Sequence, residues 1–404
     1  LWPQFLPDDR HFLFLAAARQ YQNNHIFAGS LDSKERKPIV AADSFAGYLP
    51  RGGNRGYLFY VRRRTLLAQP FDEGRLALTG EPLTVAENLE YIAPDALAVA
   101  GVSEAGVLAY QTASVRQLQL TWLDRSGKPV GPVGSPAAYG AFRIAPDGKR
   151  VAVSRYDSQV NRFDIWSLDL ARGLSSRVTF DASNKFNPVW SPDSGHLAYY
   201  SDRDGAFNLF HKALAGSRNE EVLLPSADDK YTTDWSSDGR FILFHQRDGQ
   251  AGYDIWALPG PQTTPADRKP VPVVQSEFNE KDGSLSPDGN WIAYSSDESG
   301  RDEVYVQRFR PGSSPAAGER WQVSDKGGSS PRWRQDGKEL YYLAADQKLM
   351  AVEGKTGASG FAAGVPQALF EIRTRLRNWA NAYDPAPDGR RFLVPLATGD
   401  AAPA

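Results

Sequence analysis

Short runs of apolar residues recur along the whole chain, and each run follows a tight turn rich in Pro, Asp and Gly. Residues 197–200 (LAYY) and 292–294 (IAY) are examples, and neither shows a strict alternation of apolar and polar positions. Continuous apolar runs of this length are typical of strands that are buried on both faces. The pattern therefore predicts many short strands, each packed between two neighbouring sheets.

The turns before these runs share the sequence Pro-Asp-Gly or a close variant. Proline fixes φ at the first corner, Asp accepts a hydrogen bond from the backbone two residues later, and Gly adopts a positive φ. The copies recur about every 43 to 52 residues, close to the length of one propeller blade, which is roughly 40 to 50. Clear copies lie at 146–148, 192–195, 237–239, 287–289, 335–337 and 387–389, and weaker copies at 7–9, 54–56 and 104–106.

The repeat predicts the fold class and the division of the chain. A further strand follows each apolar run, as at 164–168 (DIWSL) and 254–258 (DIWAL), so each copy supplies about four strands. The expected fold is an all-β propeller of four-stranded antiparallel blades, about eight in number. The predicted units lie near 1–41, 45–87, 96–134, 138–180, 185–225, 231–275, 279–324 and 329–371, with a partial unit at 379–396 and a tail at 398–404.

The last unit has only two strands, so the sequence leaves the closure of the ring open. The chain is trimmed at both ends, or it forms an eight-bladed ring with a loose tail, or it holds a partial ring followed by a six-bladed ring. In the third arrangement the six-bladed ring runs from about 115 to 397, and residues 118–133 supply the missing strands. The short connection at 111–117 favours one continuous propeller over residues 1–397, because it resembles a hairpin within one blade.

Composition excludes several classes of function. The 404 residues include 46 Lys and Arg against 48 Asp and Glu, which argues against a dedicated nucleic-acid-binding protein. The chain has no cysteine, so disulfides, thiolate zinc sites and cysteine nucleophiles are impossible. The longest apolar run, 12–18, is far shorter than the roughly 20 residues of a membrane-spanning helix. No membrane span is therefore expected in this chain.

Motifs for catalysis or metal binding are weak. The sequence contains neither Gly-x-Ser-x-Gly nor His-Glu-x-x-His, and its five His residues show no metal-ligand spacing. Residues 202–205 (DRDG) resemble the start of a calcium loop but lack its terminal bidentate Glu, and they fall where a hairpin turn is required. We expect no catalytic residue, no metal and no cofactor.

One set of loops is a candidate binding site. Four consecutive units carry a polar or acidic residue followed by Lys, just before the innermost strand of the blade. If these loops are equivalent in the repeat, they lie on one face of the ring near the channel mouth and form an arc of mixed charge, suited to a peptide or another polar partner. The alternative is a set of solvated loops. The pairs are Asn184-Lys185, Asp229-Lys230, Glu280-Lys281 and Asp325-Lys326.

The repeat resembles the TolB-like, PD40-type propeller, whose signature is Trp-Ser-Pro-Asp-Gly, a hydrophobic strand and Ser-Asp-Arg-Asp-Gly. This chain shows it at 190–193 (WSPD) with 200–205 (YSDRDG), and again at 235–239 (WSSDG) and 285–289 (LSPDG). None of the ten Trp residues is followed by Asp, so the repeat is not of the WD40 type. The resemblance covers nearly the whole chain and implies a propeller fold.

Other segments are similar to the propeller that follows the membrane span in certain bacterial serine/threonine protein kinases. These segments are 2–8 (WPQFLPD), 66–72 (LLAQPFD), 331–338 (PRWRQDGK) and 349–352 (LMAV). The resemblance implies an extracytoplasmic sensor or interaction domain of a membrane-anchored parent protein, with blades missing upstream and a final strand missing. No residue matches a kinase motif, so the resemblance implies no kinase activity.

These observations favour a non-catalytic propeller that binds a protein, a peptide or a small polar ligand on the periplasmic side of the membrane. Nucleic acid is not expected as a partner. The resemblance leaves two alternatives, since similar propellers gate serine peptidases of the prolyl oligopeptidase type, and TolB itself is a periplasmic scaffold. Fold alone does not decide between such functions.

Overall fold

A computed structural model gives the three-dimensional structure of the chain. In the described residues every regular element is a β-strand, and contacts divide the chain into two compact units, Leu1–Val115 and Arg116–Ala404. The all-β class predicted from the repeat is thus confirmed. The structure describes residues 3–16, 24–44, 47–62, 65–87, 89, 91–92, 97–98, 100–103, 105–111, 117–160, 162–215, 220–247, 252–313, 320–357, 360–373 and 381–398.

The first unit contains two larger antiparallel sheets and two hairpins. Strands β1 to β4 form one sheet in sequence order, and β5, β6 and β7 form the next, with β8 and β9 both paired to β7. The hairpins are β10–β11 and β12–β13. The strands are β1 Gln4–Phe5, β2 His11–Ala16, β3 His25–Ser30, β4 Ser33–Ala41, β5 Gly47–Pro50, β6 Arg55–Arg62, β7 Thr65–Asp72, β8 Ala77–Leu78, β9 Leu83–Ala86, β10 Tyr91–Ile92, β11 Leu97–Ala98, β12 Ala100–Val102 and β13 Leu108–Tyr110.

The core of the first unit lies between its two larger sheets. Leu13, Ile26 and Ala28 of the first sheet pack against Leu58 and Phe71 of the second. Because burial of a large apolar side chain stabilises the folded chain by about 1.5–3 kcal/mol, this layer holds the two sheets together.

The second unit contains six sheets, which we number as blades 1 to 6. Blades 1 to 5 follow the chain, and blade 6 combines strands from both ends of the unit in the order β15-β14-β38-β37. The strands of blade 6 are β14 Leu118–Asp124, β15 Pro129–Ala137, β37 Asp384–Pro385 and β38 Arg391–Ala397. Those of blades 1 to 3 are β16 Tyr139–Ile144, β17 Arg150–Asp157, β18 Arg162–Asp169, β19 Ser175–Arg177; β20 Lys185–Trp190, β21 His196–Asp204, β22 Ala206–Ala213, β23 Glu220–Leu224; and β24 Lys230–Trp235, β25 Phe241–Arg247, β26 Tyr253–Pro259, β27 Val271–Val274. Those of blades 4 and 5 are β28 Glu280–Leu285, β29 Trp291–Ser296, β30 Glu303–Arg308, β31 Arg320–Gln322; and β32 Gly328–Trp333, β33 Glu339–Ala344, β34 Lys348–Gly357, β35 Gly360–Ala363, β36 Gln367–Glu371.

The closure of the ring differs from the continuous propeller favoured above. Strand β38 pairs with β14 in antiparallel register from Leu118↔Ala397 to Asp124↔Arg391. The strands expected to complete a unit near 96–134 therefore belong to different units, β12–β13 to the first and β14–β15 to blade 6. The pairing corresponds to the six-bladed alternative. The hydrogen bonds and the apolar face that β38 gains from β14 outweigh the shortness of the connection at 111–117.

Each pair of neighbouring blades encloses its own apolar layer, which makes the ring continuous. Between blades 1 and 2, for example, Ile165 packs with Trp190, Leu197 and Phe210. One apolar layer joins blade 5 to blade 6, and another joins blade 6 to blade 1. Each of the six blades therefore packs against two neighbours. This arrangement explains the continuous apolar runs in the sequence, since a strand between two layers is buried on both faces.

The innermost strand of each blade begins at one face of the ring and ends at the Pro-Asp-Gly turn on the other. Trp190 and Trp333 end two of these strands, and their indole Nε1 atoms donate to the carbonyls of Arg143 (2.8 Å) and Ser284 (3.2 Å) in the preceding blade. We call the space enclosed by β16, β20, β24, β28, β32 and β37 the channel.

Candidate functional site: blade boundaries and channel

Lys185, predicted to lie on the rim, is buried at the boundary between blades 1 and 2. Its Nζ atom donates to the carbonyls of Ser183 (2.7 Å) and Asp181 (3.2 Å) and to the Asp181 carboxylate. The nearer carboxylate oxygen of Asp164, on the third strand of blade 1, lies 3.6 Å from it. Burial lowers the pKa of Lys185, and the charge of Asp164 opposes that shift. The side chain therefore joins two blades and is not available to a partner.

Lys230 holds the same position at the boundary between blades 2 and 3. Its Nζ atom donates to Asn208 Oδ1 (3.1 Å), to the Asp228 carbonyl (2.8 Å) and to the Ser226 hydroxyl. Burial removes the ammonium group from water and lowers the pKa of Lys230 to about 8.

The residues before these lysines, Asn184 and Asp229, fasten the same boundaries. The backbone N–H of Phe163 donates to Asn184 Oδ1 (3.0 Å), and that of Phe207 donates to Asp229 Oδ1 (2.8 Å). Phe163 and Phe207 each lie near the start of the third strand of the preceding blade. Both side chains thus complete backbone hydrogen bonding between blades.

The other two pairs do not hold the equivalent positions. Glu280 is the first residue of β28, so Lys281 stands one place later than Lys185 and Lys230. Asp325 and Lys326 precede the first residue of β32 and are exposed. A shift of one residue along a strand moves a side chain to the opposite face. The prediction that the four pairs form an arc of equivalent positions is therefore wrong. Of the four lysines, Lys281, which is half-buried, and Lys326, which is exposed, lie at the face of the ring where the innermost strands begin.

A second group of charged residues lies in the channel, and the sequence analysis did not identify it. Arg143, Asp234 and Arg332 are each the fifth residue of an innermost strand, and Asp384 occupies the corresponding place before Pro385. We call these four residues the channel cluster. The signal was present in the sequence, since each of them stands three residues before the Pro, Ser or Gln that opens the turn.

The channel cluster is held by main-chain and ionic contacts. Asp384 accepts from the backbone N–H of Ile144 (2.7 Å), and its other oxygen lies 3.7 Å from Arg143 and 3.9 Å from Arg332. Asp234 accepts from the backbone N–H of Leu285 (2.8 Å) in blade 4. Two arginines and two aspartates balance in formal charge.

Burial dominates the electrostatics of this cluster. It raises the pKa of Asp384, whereas Arg143 and Arg332 favour its charged form. It lowers the pKa of Arg332, an effect that the neighbouring charge of Arg143 reinforces. The ions are thus stable as a set, because removing one would leave its partner buried without a counter-charge.

The channel cluster crosses the ring. Arg143 belongs to blade 1, yet its guanidinium donates to the carbonyl of Thr233 in blade 3 (2.8 Å). Blades 1 and 3 are not neighbours, so the side chain reaches this carbonyl across the channel. At this level the channel is occupied by side chains.

Among the described residues no three His, Cys, Asp or Glu side chains converge as metal ligands would. In the same part of the chain, no helix has the length and apolar character needed to cross a membrane.

Part of the ring is similar to a known family of propellers. The family described as the TolB beta propeller domain (PD40) matches residues 123–258. Over these residues, about a third of the chain, the sequence is similar to a TolB-type β-propeller. The matched segment runs from blade 6 through blades 1 and 2 into blade 3, and it includes both buried lysines.

A solved structure has a similar fold. A structure of a putative TolB from Agrobacterium tumefaciens superposes with a TM-score of 0.55 at 18% sequence identity, covering 71% of this chain and 99% of that one. At this identity the likeness concerns the fold alone.

Two curated relatives match shorter segments. The uncharacterized peptidase YuxL of Bacillus subtilis is 34% identical over 109 residues, which are 25% of this chain and 16% of that protein. An uncharacterized protein of Agrobacterium fabrum is 31% identical over 78 residues, 19% of this chain and 26% of that protein. The chain thus spans about a quarter or less of the length of either relative.

Proposed function

We propose that the TolB-type ring is a non-catalytic binding module that recognises a protein, a peptide or a small polar ligand on the periplasmic side of a bacterial envelope. The observation that carries the proposal is the channel cluster. Because side chains from blades 1, 3, 5 and 6 meet across the channel, an approaching partner encounters a closed surface. Recognition then falls to the loops around the ring.

We further propose that the ring is the sensor or interaction domain of a larger, membrane-anchored protein such as a receptor-type serine/threonine kinase. The segments at 66–72 and 331–338 support this assignment by their resemblance to such propellers. In the structure the first forms part of β7 and the second contains the turn between β32 and β33.

A second candidate is a propeller that gates the substrate of a serine peptidase. The short similarity to the peptidase YuxL favours it. A gate needs a passage, however, and opening this channel would separate Asp384 from two partly buried arginines at a cost of several kcal/mol. A periplasmic scaffold resembling TolB, the third candidate, is a form of the binding module and has the support of the fold.

The test uses the two lysines that reach the face where the innermost strands begin. A Lys281→Glu, Lys326→Glu double variant of the immobilised chain should capture several-fold less partner from an envelope extract of the source organism, because the reversed charges slow encounter with the partner. The matched control is Lys338→Glu, which reverses a charge beyond the other end of β32 and should capture the partner as the wild type does.

Equal capture by the double variant and the wild type would contradict the assignment to this face. Absence of any saturable capture would contradict the binding module itself. Turnover of peptide or ester substrates by the purified wild-type chain would contradict its non-catalytic character.

A further inference from the structure

One position at the blade boundaries reverses its charge along the ring. It is the first residue of the innermost strand, which is Lys185 in blade 2, Lys230 in blade 3 and Glu280 in blade 4. At the first two boundaries the ammonium group lies against a side chain on the third strand of the preceding blade, Asp164 at 3.6 Å and Asn208 at 3.1 Å. At the third boundary, a glutamate replaces the lysine.

The hydrogen bonds around Glu280 show that its position is truly equivalent. The preceding residue, Asn279, accepts from the backbone N–H of Tyr253 (3.2 Å), as Asn184 and Asp229 accept from Phe163 and Phe207. The residue that follows Tyr253 is Asp254, the counterpart of Asp164 and Asn208.

The loop before the strand repeats the correspondence. The residue four places earlier binds the head group at each boundary, since Asp181 and Ser226 accept from the lysines and Ser276 Oγ donates to Glu280 Oε1 (2.6 Å). The Glu280 carboxylate thus occupies the place of the two ammonium groups.

Two acids are therefore buried together where the neighbouring boundaries hold a cation. Glu280 is 1% exposed and Asp254 is 4% exposed. Glu280 Oε1 also accepts from the Ser296 hydroxyl (3.2 Å), whereas Glu280 Oε2 is buried without a hydrogen-bond partner among the described residues. Burial raises the pKa of Glu280, and the charge of Asp254 adds to the effect. A buried carboxylate oxygen without a partner costs free energy unless something compensates it.

We propose that Glu280 and Asp254 bind a hard metal cation, Ca²⁺, between blades 3 and 4, which gives this boundary the positive charge that a lysine supplies at the two preceding boundaries. Carboxylate, hydroxyl and water oxygens are the ligands that Ca²⁺ prefers, and the hydroxyls of Ser276 and Ser296 lie beside Glu280. With two carboxylates the site belongs to the weak class, with a Kd of about 0.1–1 mM. Gln275 Nε2 donates to Asp254 Oδ2 (3.3 Å) and holds that carboxylate in position. The site is independent of the proposed binding function, and its cation fastens two blades.

The lysines at the two preceding boundaries suggest a variant, Glu280→Lys, that tests the proposal. Thermal unfolding of the full chain is measured in 10 mM CaCl₂ and in EDTA at constant ionic strength. Bound Ca²⁺ stabilises the folded chain, so the wild type should unfold about 2–4 °C higher in CaCl₂. Glu280→Gln should lose the response, and Glu280→Lys should unfold at one temperature in both conditions, because it carries its own cation as Lys185 and Lys230 do. The exposed Glu277→Gln is the matched control and should respond like the wild type.

Calorimetric titration of CaCl₂ into the wild-type chain needs no variant and should give one site per chain. Absence of saturable heat would overturn the proposal. A thermal response retained by Glu280→Gln would also overturn it, since Ca²⁺ would then bind elsewhere. If the unfolding temperature of the wild type does not change with Ca²⁺ but rises on mild acidification, the proposal is overturned in favour of a proton shared by the two acids.

Discussion

At the scale of single residues, the buried lysines show why exposure could not be inferred from residue type. Lys185 and Lys230 lie in polar loop sequences, where a solvated side chain is the ordinary expectation. Each is nevertheless enclosed because three oxygen acceptors surround the ammonium group. All three belong to the preceding loop at Lys185, and one of the three at Lys230 is Asn208 of the preceding blade. Their role is structural, so charge reversal at these two positions would test stability and not recognition.

The lowered pKa of Lys230 predicts a pH dependence of stability. Its folded value of about 8 lies below the unfolded value of about 10.4, so the unfolded chain binds more protons between these two pH values. The contribution of Lys230 to the free energy of unfolding should therefore rise as pH increases from 8 to 10. Urea unfolding of the wild type and of Lys230→Met at pH 7.5, 8.5 and 9.5 measures it. The difference, wild type minus variant, should increase across the series, and a constant or falling difference would contradict the buried charge.

At the scale of the element, the innermost strands share an irregularity. The third residue adopts a positive φ in three of them, at Asn187 (44°), Asp282 (58°) and Ser330 (54°). The pairing with the second strand shifts register at the same place, as between Ser329 and Arg332. The irregularity is a β-bulge that turns the next residues toward the channel.

The bulge predicts that glycine at position 330 stabilises the chain. A positive φ strains any residue with a Cβ atom, so Ser330→Gly should raise the free energy of unfolding by about 0.5–1 kcal/mol. Ser329→Gly is the matched control and should lower it by a similar amount, because its backbone is extended. Chemical denaturation measures both. Equal destabilisation by the two variants would contradict the strain at Ser330.

The channel cluster gives a prediction about how strands are held around the ring. Asp384→Ala removes the counter-charge of two partly buried arginines and should cost about 3–5 kcal/mol. Asp388→Ala, in the exposed turn that follows, loses only a local bond to the backbone N–H of Arg390 (3.0 Å) and should cost about 1 kcal/mol. Urea unfolding compares the two variants. Similar losses would mean that Asp384 is no more than another turn carboxylate.

Local features of this chain were predictable from sequence, and distant ones were not. Pro146-Asp147-Gly148 and its copies determine their own conformation through φ and short-range hydrogen bonds, so turns, strands and blade type followed from the repeat. The partner of β38 is a strand more than two hundred residues earlier, so the sequence offered this pairing only as one of three alternatives. The face of β28 to which Lys281 points depends on where the strand begins, because a shift of one residue moves every side chain to the opposite face. The channel cluster was readable only by aligning the copies position by position.

At the scale of the whole molecule, the ring depends on the pairing of its first and last strands. A chain ending at residue 373 lacks β37 and β38, which leaves Leu120 and Leu123 without their apolar neighbours Leu393 and Phe392. We expect such a chain to lose the cooperative unfolding of the second unit, since both faces of blade 6 would be incomplete. Circular dichroism and calorimetry on this chain, and on one ending at residue 398 as the control, make the comparison. A chain ending at residue 373 that unfolds like the control would contradict the closure.

Hydrogen bonds, not a covalent link, complete the circle between β14 and β38, and Thr398 also bonds through its backbone N–H to the carbonyl of Gln117 (3.2 Å). A circle joined in this way has no obligatory starting point. In a chain that begins at residue 117, a short peptide tether from 398 to 117 would allow the chain to begin elsewhere, and new ends placed in the turn between β17 and β18 would leave every sheet of the second unit intact. The order in which the gene encodes the blades is thus one of several that this architecture permits.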